Sequence, residues 1–165
     1  MAQIKDAQNL FAHELGMALG AEKKILSMLK KVEGQVQDEQ LRQAVVQHRG
    51  ETEGQIRNIE QAFQAIGGDA TGHHAEVVDG LQTESEKMIG MVDEPFVDSV
   101  VVGGMAKTEH VEIAMYEGLI TKAEAMREED VVALLRENLE QEQKTLQLAE
   151  QMSQQLSQRL ASQVA

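Results

Sequence analysis

Glu109 and Glu112 are the residues from which a chemical reading of this chain starts. They stand in the run Lys107-Thr-Glu-His-Val-Glu-Ile-Ala-Met-Tyr116. Val97, Val101, Met105, Glu109, Glu112, Tyr116 and Leu119 recur at intervals of three and four, the spacing of one face of an α-helix. If that face is buried, two carboxylates one turn apart are buried with it. Two ionised carboxylates are costly to desolvate and repel each other. A cation between them removes both penalties. Read singly, each could be an ordinary surface acid, so the other helices must decide.

The same interruption recurs. Residues 3–33 read as a long helix with the stripe Leu15, Ala18, Glu22, Ile25, Leu29 and Val32. A second helix starts near Asp38, a good N-cap, and runs to Ile66. Its stripe has apolar ends and a polar middle, with His48, Thr52 and Gln55 on the line and Glu51 one turn after His48. Residues 128–161 form the last helix, with Leu135, Leu139, Glu142, Leu146, Ala149, Ser153 and Leu156 as its stripe and Gln151–Gln163 as a frayed tip. Glu22, Glu51, Glu109 with Glu112, and Glu142 thus lie near the midpoints of four long helices. Glu22 and Glu51 are 29 positions apart, Glu112 and Glu142 are 30 apart. Two helical hairpins would bring these midpoints to one level. Carboxylate oxygens with one or two imidazoles suit iron or manganese, and such sites form inside helical bundles.

The connecting segment is less informative. Gly67–Gly72 ends the second helix, and His73 and His74 follow in a loop where exposure is the ordinary expectation. A short amphipathic helix is expected at about 75–92, with Val77, Val78, Leu81, Met88 and Val92 as its apolar side and Glu84 in reserve. Asp93-Glu-Pro95 restarts the chain into a helix over 96–126.

Composition bounds the rest. The chain has 165 residues, one Pro, one Tyr, no Trp and no Cys, and is rich in helix-forming Ala, Gln, Glu, Leu and Met. Without Cys there is no disulfide, thiolate zinc site, iron–sulfur cluster or thiol nucleophile. Twenty-eight acids against fifteen bases give a net charge of −13, which disfavours nucleic acid and anionic membranes. No apolar run is long enough to span a bilayer, and no secretory signal is visible, so a cytoplasmic protein is expected.

Taken together, four stretches resemble the YciF-type ferritin-like family, a bacterial stress-associated group related in fold to rubrerythrin. They are Phe11-Ala-His-Glu-Leu15 with Ala21-Glu-Lys-Lys-Ile-Leu26, then His48-Arg-Gly-Glu-Thr-Glu-Gly-Gln55, the 107–116 run, and the segment centred on Glu142. The resemblance covers roughly residues 5–150. It implies one all-α domain over 1–165, a ferritin-like antiparallel four-helix bundle with an additional short helix between the hairpins. It also implies a homodimer and a di-iron centre. On that reading Glu22, His48, Glu51, Glu109, Glu112 and Glu142 hold two ions, iron or else manganese. Glu51 and Glu112 would bridge them, and His48 would be a ligand or a donor to one. Turnover would need oxygen or peroxide and an outside reductant. The alternative is a non-catalytic stress protein acting through protein–protein contacts. The chain departs from di-iron bundles in lacking any Glu-x-x-His; it has the reversed His48-x-x-Glu51. His110 lies about 100° around the helix from Glu109 and is expected near the site or an interface.

For the dimer, the outer face of the first hairpin is expected to carry Leu10, Leu19, Leu26, Val46 and Ile56, with Gly16, Gly20, Gly50 and Gly54 allowing close approach.

Overall fold

Asp6 starts the first helix by accepting a hydrogen bond from the Asn9 backbone N–H at 2.8 Å, so α1 (Ala7–Val32) begins later than residue 3. A computed structural model describes residues 3–164. Asp38 caps α2 (Glu39–Ala65) as expected, accepting from the backbone N–H groups of Gln40 and Leu41. A short helix, α3 (Glu76–Ile89), follows the glycine loop, and a 3-10 turn at Glu94–Phe96 leads into α4 (Val97–Met126). The final helix, α5 (Glu129–Val164), continues through the segment expected to fray, because Met152 and Leu156 are buried along it.

The chain turns from α4 to α5 through Arg127, which holds a left-handed conformation at φ 62°. The Glu128 N–H then reaches the Ala123 carbonyl at 3.0 Å, satisfying an acceptor at the helix end. This tight turn makes α4 and α5 an antiparallel hairpin, as α1 and α2 are. The hairpins are tied at one end. Asp98 of α4 accepts from the N–H groups of Gln37 and Asp38 at 2.9 and 2.8 Å, and Arg159 of α5 reaches Asp38 at 2.7 Å. The start of α4 therefore lies beside the α1–α2 connection, and α4 runs antiparallel to α1. By the same contacts α5 runs antiparallel to α2. The result is the all-α, ferritin-like antiparallel four-helix bundle, with α3 packed outside on α1 and α4.

Two apolar clusters fill the bundle. One holds Leu29, Leu41, Val45, Val101, Met105 and Leu156 at the end tied by Asp98. The other holds Phe11, Leu15, Leu19, Ile59, Leu119 and Leu135 at the end of the Arg127 turn. Between them lies a polar layer.

Several expected faces shift. The buried line of α5 is Leu135, Asn138, Glu142, Thr145, Ala149, Met152 and Leu156. Leu139, Leu146 and Ser153 are only half-buried, a rotation of less than one residue. On α3, Val78 alone is buried; Val77 and Met88 face outward rather than forming the packed side. Gly16 and Gly20 do not receive a second helix. A side-chain carbon at Gly20 would lie 1.7 Å from the His73 carbonyl oxygen, and the His73 N–H donates to the Gly16 carbonyl at 2.7 Å. The α1 notch is filled by the α2–α3 loop.

Candidate metal centre

His48, Glu109, Glu112 and Glu142 meet in the polar layer, each buried and each offering a ligand atom within 4.8 Å of the others. Three of the four long helices supply them. The fourth, α1, brings Glu22, which is fully buried and whose charge helps to raise Glu112. His48 reaches Glu109 through Nε2 at 3.1 Å.

Glu51 stands at the rim. Its side chain is about a quarter exposed, 4.0 Å from His48 Nδ1, and Gln47 donates to it at 2.9 Å. Of the six acids and imidazoles expected at the site, five are buried together and Glu51 borders them. The other candidates lie elsewhere. Glu14 pairs with Lys122 at 2.8 Å on a half-exposed surface, Glu84 pairs with Lys107, and His110 is exposed. His74 binds Asp79 at 2.8 Å and His73 stacks on His13, both away from the layer.

The electrostatics of the layer are those of charge taken out of water. Burial, then the neighbouring Glu142 charge, pushes the Glu22 carboxyl up to about 8. Burial first and the surrounding acids second push Glu112 well above the carboxylate range. Glu109 and Glu142 are both raised, again chiefly by burial, and titrate as a coupled pair with their neighbours. Tyr116, fully buried, donates its hydroxyl to Glu22 and accepts from Asn138 Nδ2 at 3.1 Å. Asn138 in turn accepts from Asn58 at 2.8 Å. Asn138 is absent from the stripe expected for α5 because Leu139 is the more apolar choice beside it. Its position three residues after Leu135 and four before Glu142 is the signal that points to it.

The donor set fits a cation. One oxygen of Glu22, both oxygens of Glu109, Glu112 and Glu142, and His48 Nδ1 are buried without a hydrogen-bond partner. Buried polar atoms are nearly always partnered, so these orphaned carboxylate oxygens are an unfilled demand. Carboxylates and imidazole are the ligand types for iron, manganese or zinc in this geometry class.

Four antiparallel helices, an outlying short helix and a mid-height His/Glu group that could hold a metal ion define a ferritin-like bundle. Residues 6–162 match the family described as a domain of unknown function, DUF892, and the chain belongs to that family. It is 31% identical over 144 residues to protein YciF of Escherichia coli K12, covering 86% of this chain and 87% of YciF. The crystal structure of the E. coli stress protein YciF superimposes with a TM-score of 0.88 at 28% identity, over 94% of this chain and 99% of that one. YcfI from Rhodopseudomonas palustris matches with a TM-score of 0.87 at 30% identity, over 90% and 95% of the two chains. A Xanthomonas campestris protein at 19% identity shares the fold, with a TM-score of 0.76. The YciF-type resemblance expected from the sequence is thereby borne out.

Proposed function

We propose that this protein is a ferritin-like di-metal protein, with iron the preferred metal and manganese the alternative, in a cytoplasmic bacterial stress role like that named for YciF. The observation that carries the reading is the set of buried, mutually repelling carboxylate oxygens with no hydrogen-bond partner, closed on one side by His48. Glu109, Glu112, Glu142 and His48 would hold the first ion. Glu22 and Glu51, flanking them, would complete the set for a second. A bound pair of iron ions supplies one-electron oxidation or reduction at each metal toward oxygen or peroxide. The chain's own part is to neutralise the cations, to keep bulk water out through the two apolar clusters, and to orient Glu22 through the Tyr116 hydroxyl. With no cysteine in the chain, electrons for turnover would come from an outside reductant.

The test is metal content after purification without chelator, followed by thermal melting with added ferrous iron or manganese. A ligand binding only the folded state stabilises it by RT ln(1 + [L]/Kd), about 3 kcal/mol at a hundredfold excess over Kd. Sub-stoichiometric metal together with an unchanged melting temperature would overturn the reading.

A second reading has an observation in its favour. Burial and the neighbouring acids raise Glu22, Glu109, Glu112 and Glu142, so protons can neutralise the layer without a metal. The protein would then act in stress through contacts with other proteins. A homodimer is proposed under either reading, through the open side of the α1–α2 hairpin. Leu19 is fully buried and drops out of that face; Leu10 and Val46 remain exposed, and Leu26 and Ile56 half-exposed.

A further inference from the structure

The polar layer is approached from one side by space. A cavity of about 40 Å³ has His48 and Glu109 in its wall at the buried end and Leu81 and Ser85 of α3 at the outer end. Between these ends its lining is aliphatic, including Met28, Leu29, Val101 and Met105. Thr108 adds little polarity, because its hydroxyl donates to the Gly104 carbonyl at 3.0 Å. Outside lies a groove of about 390 Å³ between α3 and the first half of α4, and the two spaces share Leu81, Ser85 and Gly104 as a common wall. Gly104 keeps that wall thin. A methyl group there would touch Ser85 Oγ at 3.5 Å, an ordinary contact, and anything larger would project into the passage.

We propose that this cavity is a binding and entry site for a small uncharged apolar molecule, of dioxygen size, delivered to the His48–Glu109 edge of the layer from beneath α3. The proposal rests on the metal-centre reading for its purpose but not for its existence. Three features carry the class of ligand. The volume holds a molecule of about two or three heavy atoms, well under the ~300 Å³ of a drug-sized pocket. An aliphatic wall strips hydrogen bonds from polar solutes at a cost of a few kcal/mol, which disfavours peroxide and ions against an apolar gas. The chain's net charge of −13 further disfavours anions. The outer wall is also the least anchored helix. Only Val78 of α3 is buried, and its ion pairs, Lys24–Asp79, Lys31–Glu86 and Lys107–Glu84, are at the surface, where such pairs contribute little. Helices held this weakly open locally at low cost.

Xenon tests the site without metal. In metal-free protein carrying carbon-13 methionine methyls, dissolved xenon should shift the Met28 and Met105 signals while that of Met152 stays in place. Gly104→Leu should abolish the shift, and Leu81→Ala, which opens the same wall, should preserve or enlarge it. Unmoved Met28 and Met105 signals, or a Gly104→Leu variant that binds xenon like the parent, would overturn the proposal whatever the protein does with iron. In ferrous-loaded protein, Gly104→Leu should slow nitric oxide association at least tenfold at unchanged iron content, and Leu81→Ala should not slow it. Xenon binding with unchanged nitric oxide kinetics would reduce the cavity to a void and remove its role as an entry. Absence of bound iron in the parent would remove the metal-centre reading and leave the xenon result standing.

Discussion

The middle of the bundle and its ends are built on opposite principles. At the ends, Leu29 and Leu41 are buried in one apolar cluster and Ile59 and Leu135 in the other, and every such contact removes apolar surface from water. At mid-height, Glu22, His48, Glu109, Glu112 and Glu142 are buried just as fully, yet their contacts with one another cost free energy unless protons or a cation compensate them. A helical bundle of this length could be completed with leucine throughout. That the polar layer is tolerated means the ends supply the stability and the layer consumes some of it in holding charge. Substitutions in the two regions should therefore differ in sign.

The sharpest contrast is Leu135→Ala against Glu142→Leu. Leu135 is fully buried, and its truncation should destabilise by about 2–5 kcal/mol in urea unfolding while bound metal per folded chain stays unchanged. Glu142→Leu should leave the metal-free fold as stable as the parent or more so, since it replaces a buried carboxyl group with apolar volume, and should sharply lower metal content. Equal destabilisation by both would erase the distinction between layer and ends. Full iron occupancy in Glu142→Leu would take Glu142 out of the site.

The next effect is in pH. Without metal, burial and the Glu142 charge push the Glu22 carboxyl up to about 8 from an ordinary 4.5, and burial raises Glu109, Glu112 and Glu142 in the same direction. Between about pH 4.5 and 8 the folded state holds protons that the unfolded chain has released. Stability from these groups is thus fully present below the unfolded value and is lost as pH rises through the folded one. Each bound proton that unfolding releases is worth about 1.4 kcal/mol for every pH unit crossed in that window. Metal-free protein should melt at a higher temperature at pH 5.5 than at pH 8.5. With iron or manganese bound the slope should reverse, because protons then compete with the cation for the same oxygens. Melting curves at the two pH values, with and without chelator, check both signs; a metal-free protein stabilised by rising pH would contradict the layer's electrostatics.

The legible and illegible parts of this arrangement divide by the same logic. Wherever a stripe is long and apolar on both sides of an acid, as around Glu22 and Glu109, spacing gives its rotation, and those residues are buried as expected. On α5 hydrophobicity favours Leu139 over Asn138, and a polar layer is where that criterion fails. Leu19 is surplus to one stripe only because a helix at a four-helix centre buries a face wider than a single line; Ala18 and Leu19 are both fully covered. The glycine notch reads as helix packing, since no local signal shows that a loop some fifty residues later folds onto Gly16 and Gly20. Val77 and Met88 fit a packed side because α3 is amphipathic, but a helix lying outside the bundle buries only a narrow line.

A smaller effect sharpens the border between layer and end. Tyr116 belongs by its ring to the apolar cluster at the end of the Arg127 turn and to the layer by its hydroxyl. Tyr116→Phe keeps the ring, but leaves a Glu22 oxygen without its donor and removes the acceptor that Asn138 Nδ2 uses. A cost of about 1–3 kcal/mol is expected for the metal-free protein, read in urea. Metal content should be kept, because Glu22 remains free to ligate. If the hydroxyl contributes nothing, the variant will unfold at the parent's urea midpoint.

The smallest effect on the fold is expected outside both regions, at apolar residues that neither end absorbs. Val46 is 39% exposed on α2, whereas its chain neighbour Val45 is fully buried. Val46→Glu should change unfolding stability by less than about 0.5 kcal/mol, as surface substitutions do. Leu19→Glu, by contrast, buries a carboxylate at an apolar end and should cost several kcal/mol. If the open side of the α1–α2 hairpin forms the proposed homodimer, Val46→Glu nevertheless has a large effect on mass. Light scattering at micromolar chain and physiological salt should give a dimer for the parent and a monomer for Val46→Glu. The net charge of −13 opposes pairing at low ionic strength, so the parent should also lose mass as salt is removed. A parent that is monomeric at every salt concentration would make Val46 an isolated surface valine. A dimer unaffected by Val46→Glu would move the interface to another face of the bundle.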